Sequence, residues 1–134
     1  MPPIILYDSP QITVRFYPDT KIVHHEMHGH AHGQDFNDAL TAGAEAMKKY
    51  KGSKWLSDDR ELPVLSPQDR QWGDDVWAPE VLKAGFKYWA IVQPAKALAR
   101  IRLEERGQVW TKRGVTVEYF SDPDEALRWL KSQN

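Results

Sequence analysis

All five histidines of this 134-residue chain fall between His24 and His32, in the run HHEMHGHAH. In extended backbone His24, Glu26, His28, His30 and His32 project to one side, and imidazole with carboxylate makes a ligand set for zinc or nickel. A flat strand spaces alternate side chains about 7 Å apart, so more than two of them reach one ion at ~2.1 Å only where the chain bends. Gly29 and Gly33 are the places for such a bend. The first expectation is a partly exposed strand end and loop holding no metal, and the alternative is a metal site on His24, His28, His30 and His32.

A second group with chemical potential is acidic. Asp58, Asp59, Asp74 and Asp75 are candidates for paired acid and base work. No nucleophile with a companion base is indicated, no phosphate-binding glycine loop is present, and the chain has no cysteine. Arg60 offers Asp58 and Asp59 a plain ion-pair partner. The expectation is therefore a protein without catalytic residues and without a cofactor. Of the six tryptophans, Trp55, Trp89 and Trp129 belong by pattern to inner strands and a final helix, hence to the core. Trp72 and Trp77 flank Asp74 and Asp75 and are less easily absorbed. Asp58, Asp59, Arg60, Trp72 and Trp77 are thus the candidate binding residues, near the carboxyl end of a strand, where crevices form in open α/β sheets.

These residues are positioned by a legible series of elements. Ile12, Val14 and Phe16 alternate with Thr13, Arg15 and Tyr17, the period of a half-buried strand; Pro18, Asp19 and Thr20 then turn the chain into a second strand from Ile22 to about His28. The short connection makes the pair an antiparallel hairpin. Helical spacing of Phe36, Leu40, Gly43, Ala44, Met47 and Tyr50 predicts a helix over Gln34 to Tyr50, and Gly52 stops it. Lys54 to Ser57 reads as a short third strand, parallel to the second. Ser66 and Pro67 open a second helix that runs to Ala84, with Pro79 expected to kink or split it. Tyr88 to Val92 is almost wholly apolar, as in a parallel strand covered on both faces. A third helix occupies part of Ala95 to Arg113. Val115, Val117 and Tyr119 mark the last strand, and Asp122, Pro123 and Glu125 open a final helix.

The order is ββαβαβαβα, which predicts one α/β domain over 1–134 with a mixed sheet of about five strands and about four covering helices. Its 18 basic and 19 acidic residues are dispersed, so no electrostatic footprint for nucleic acid is expected. No apolar run approaches the ~20 residues of a membrane span. The opening residues lack the pattern of a secretory signal, and the absence of cysteine fits a reducing compartment. A cytoplasmic location is expected.

The element order resembles the STAS, or SpoIIAA-like, fold of bacterial anti-sigma-factor antagonists, which is related to the CRAL-TRIO lipid-transfer domains. The strings KWLSDDRELPVLSPQDRQW, WAPEVLKAGFKYWAIVQP and GVTVEYFSDPDEALRWL are similar to those of small, uncharacterised bacterial STAS-like proteins. The resemblance implies a non-enzymatic, regulatory module that binds a protein partner or a second copy of itself as a homodimer. In antagonist STAS domains a serine following an aspartate at the end of the third strand is phosphorylated. The matching position here holds Asp59, a departure from that switch, and Ser57 is expected inside the strand. The CRAL-TRIO relationship implies a second reading, a carrier of a small apolar, lipid-like ligand.

Overall fold

The computed structural model describes residues 2–134 as one sheet with helices on both faces. Six strands lie in the order of the chain: β1 (Ile4–Asp8), β2 (Ile12–Tyr17), β3 (Ile22–Met27), β4 (Lys54–Asp58), β5 (Tyr88–Val92) and β6 (Thr116–Phe120). The β1/β2 and β2/β3 pairs are antiparallel, whereas β3 through β6 run parallel, so the sheet is mixed. The expected count of five strands is corrected to six, because β1 precedes the hairpin. Its residues Ile4, Ile5 and Leu6 do not alternate with polar ones, and the pairing with β2 shifts register between Ile5 and Tyr7. That irregularity is the mark of a β-bulge, which erases the period-two signal. Tyr7 and Ser9 both donate hydrogen bonds to Asp35, tying β1 to a helix far along the chain.

The helices are α1 (Gly33–Tyr50), α2 (Pro67–Trp72), α3 (Ala78–Ala84), α4 (Ala97–Lys112) and α5 (Pro123–Ser132). Between α2 and α3, Gly73–Trp77 form a π-helical turn, so that the run from Pro67 to Ala84 is one helical body with a wide turn in its middle. Pro79 explains the break: it has no N–H to give, and its ring crowds the carbonyl four residues back, so the preceding turn opens. Ala78 N–H accordingly bonds to Gly73 O, five residues back.

One face of the sheet carries α1, the broken helix and α4. Val23 and Met27 of β3, Trp55 of β4 and Ile91 of β5 form a single core with Phe36 and Met47 of α1 and Val81 of α3. Gly43 lets α1 approach the sheet, since a β-carbon there would stand 2.3 Å from the ring of Trp55. The other face is covered by α5 alone, where Ala126 and Leu130 pack on Ile22, Leu56, Ala90 and Val92. Asp122 starts that helix by accepting from Asp124 N–H. Because α5 contacts β4 to β6, polar side chains dominate the same face of β2 and β3, where Arg15 pairs with Glu26 at 2.8 Å and Tyr17 meets His24 at 2.9 Å.

Candidate functional site

The acidic turn after β4 is divided by strand parity. Asp58 and Asp59 are each only 3% exposed, yet they face opposite sides of the sheet. Asp58 takes a two-pronged bond from the adjacent Arg60, with Nε at 2.9 Å and Nη2 at 2.7 Å, on the side of Glu26 and His28. Asp59 turns toward the helix-covered core. There its Oδ1 meets His25 Nε2 at 2.7 Å, while Trp55 Nε1 stands 2.9 Å from His25 Nδ1. Indole nitrogen only donates, so Nδ1 of His25 accepts and Nε2 bears the hydrogen that goes to Asp59. No hydrogen bond is made to the second oxygen of Asp59, Oδ2, among the described residues, and Asp59 lines the neighbouring cavity, where that oxygen keeps access to solvent.

Beside this buried row lies a cavity of about 110 Å³ whose floor is β3 and β4 and whose roof is the π-helical turn with α4. Trp55, Trp77, Trp89 and Trp110 wall it, in edge-to-face contacts such as Trp55–Trp77 at 5.1 Å and Trp77–Trp110 at 5.7 Å. Three of the four indole N–H groups are already used, by His25, by Leu40 O (from Trp77, 2.9 Å) and by Ser57 Oγ (from Trp89, 2.7 Å). The walls therefore offer a guest mainly ring surface. Met27, Phe36 and Leu40 add aliphatic and aromatic area, and the rim carries Arg70 together with the Arg106–Asp74 ion pair. Asp69 also lines the cavity, but its two oxygens accept from Gly33 N–H at 3.0 and 3.3 Å, so it caps α1 from a distance and sits in the favourable field of that helix end.

The five residues expected to form one binding surface are thus distributed. Asp59 and Trp77 line the cavity, Asp58 and Arg60 lie across the sheet, and Trp72 packs edge-on against Phe36 at 6.3 Å and borders, with Val76, a second recess of about 310 Å³. Ser57 lies within β4, 1% exposed. Asp74 is held by Arg106, while Asp75 is exposed. Sequence reasoning missed His25, whose signal was present in its parity: β3 residues 23, 25 and 27 carry the buried face.

The remaining histidines are dispersed. His24 is turned to Tyr17, His28 Nε2 lies 2.7 Å from Thr13 Oγ1, and His30 and His32 lie beside one another with ring centroids 4.9 Å apart. Among the described residues no group of three or more histidine, aspartate or glutamate side chains is placed to hold a metal ion. Burial, reinforced by His25 and Arg15, pushes His24 down to a pKa of about 4 against the partial opposition of Asp58 and Glu26. No described helix is long and apolar enough to cross a membrane. Comparison with protein-family models, curated proteins and solved structures gave no match.

Proposed function

We propose that the chain is a non-enzymatic binding module of STAS-like type, working in the bacterial cytoplasm, that takes a compact small molecule into the tryptophan-walled cavity. The observation that carries this reading is the set of three indole N–H groups satisfied inside the protein, which leaves bare ring surface around an open space. The cavity opens at its charged rim, and a guest seated in it takes its own apolar surface and that of the indole rings out of water. The enclosed part of the cavity, about 110 Å³, is of the order that seats a single small aromatic group. The lipid-like ligand implied by the CRAL-TRIO relationship is the alternative occupant of the same cavity. Both nitrogens of His25 are engaged, which supports binding over proton-transfer chemistry.

The test is a titration with single-ring fragments followed through the indole N–H resonances. Selective shifts of the Trp55, Trp77 and Trp89 signals, lost in a cavity-filling Leu103→Trp variant that still folds, support the reading. Flat titrations across the fragment set at millimolar concentration remove it.

A second reading is docking of a protein or a second copy of the chain. Val76, 52% exposed, stands beside Trp72 and Trp77 around the second recess, where an apolar side chain would seat. Sedimentation of the parent and of Val76→Asp checks it, and a monomer in both cases with no change in partner capture counts against it.

A further inference from the structure

We infer that the guest of this cavity is an organic ammonium: a positively charged nitrogen with at least one N–H, carried on a single ring or an equally compact apolar group. The inference rests on the small-molecule reading above and concerns only the charge and donor chemistry of the guest.

The four carboxylates near the cavity and the adjoining turn differ in how they are compensated. Asp58 has the guanidinium of Arg60, Asp74 has that of Arg106, and Asp69 has the N-terminus of α1. Asp59 has only His25, bound through one oxygen, although its side chain is just 4% exposed. The rest of the carboxylate is enclosed and its one partner is an imidazole, so Oδ2, open to the cavity, is where a guest can complete its pairing. Asp59 Oδ2 therefore invites a donor, and a charged donor most of all, because charge-assisted hydrogen bonds are the stronger class.

The surroundings point the same way. Trp89 donates to Ser57 and Trp55 donates to His25, so the donors nearest the floor are spent on the protein itself. Four indole rings remain, and tryptophan is the side chain whose face best attracts a cation. The charges that oppose this are at the rim. Arg106 is neutralised by Asp74, and Arg70 is exposed, where water and salt screen it. An ammonium at Asp59 with its apolar body among Trp77, Trp89 and Trp110 meets both the open Oδ2 and the ring faces.

Benzylamine, an ammonium ion at neutral pH, and benzyl alcohol, nearly equal in shape but uncharged, separate the two levels of inference. The expected result is at least about tenfold tighter binding of benzylamine by the parent protein. In Asp59→Asn the preference should vanish while benzyl alcohol still binds, and Asp69→Asn should retain it. Equal affinities for the two probes in the parent, or a preference that survives Asp59→Asn, would overturn the ammonium assignment and leave the cavity reading standing. Binding of neither probe, nor of toluene, overturns both. The parent comparison decides the matter by itself should Asp59→Asn fail to fold.

Discussion

Trp55 and His25, on neighbouring strands, are joined by an indole N–H to Nδ1 hydrogen bond of 2.9 Å, and that bond determines which imidazole nitrogen reaches Asp59. Trp55 is 1% exposed and packs against Gly43, so its position is set by the sheet and by α1 together. The relation converts core packing into the orientation of a polar group at the cavity floor.

Trp55→Phe removes the donor and part of a large buried ring. We expect a loss of about 2–4 kcal/mol in urea unfolding, combining the void with the unmet acceptor on His25. Nitrogen NMR should show the Nε2–H form of His25 in the parent and a mixture of tautomers in the variant. An unchanged tautomer would mean that Asp59 alone orients the ring.

Asp58 and Arg60 form the second polar device at the end of β4. Because the Arg60 side chain is 50% exposed, water reaches the pair, and Arg60→Met should cost about 1–3 kcal/mol, below the range for fully enclosed pairs. Adding Asp58→Asn should restore part of that loss, since the residual penalty in the single variant is a buried charge without its partner. A double-mutant cycle measures the coupling, and strict additivity of the two changes would contradict it.

Much of the scaffold was legible because its signals are local. The alternation in Ile12 to Phe16, the apolar run Tyr88 to Val92 and the Asp122–Pro123 helix start each sit within a few residues, and each forms the expected element. Gly107, which interrupts the apolar pattern of the third predicted helix, lies inside α4, where a β-carbon would collide with the Tyr119 hydroxyl. That contact is long-range and leaves no local trace. β1 lacked a readable period because of its bulge and stands as a strand through pairing with β2. In the histidine run, the side expected to gather metal ligands is the less covered face of β3, while His25 has the opposite parity and lies under α1. Recognition of its partners required Trp55 and Asp59, some thirty residues away in sequence.

His24 gives the fold a defined acid sensitivity. Its folded pKa is held to about 4, first by burial and then by His25 and Arg15, whereas an unfolded histidine titrates near 6.5. As pH falls from about 6.5 toward 4 the unfolded chain binds a proton that the folded one refuses, so this group's contribution to stability is full above that window and declines through it. The drop levels off below about 4, at up to roughly 3 kcal/mol. His24→Gln keeps an acceptor for Tyr17 and should lose less stability than the parent between pH 7 and pH 4. Superimposable pH profiles for the two proteins would show that His24 is not the group responsible.

Two glycines make opposite predictions from the same substitution. At Gly43 an added methyl would stand 2.3 Å and 2.8 Å from two ring carbons of Trp55 and 3.0 Å from Val23 Cγ1. Alanine favours helix by about 1 kcal/mol over glycine, but overpacking against a rigid buried ring costs about 1–3 kcal/mol, so Gly43→Ala should be destabilising or at best neutral and should disturb the Trp55 indole resonance. At Gly73, in the π-helical turn, φ is −58° and nothing lies within 4 Å of the new methyl. Gly73→Ala should therefore stabilise by about 0.5–1 kcal/mol. Because Gly73 also lines the cavity, ligand affinity measured on the same variant reports whether the gain in rigidity is accompanied by a loss of room. Stabilisation by Gly43→Ala would show that α1 moves away from Trp55 at little cost, and the tight seat of the tryptophan that orients His25 would no longer hold.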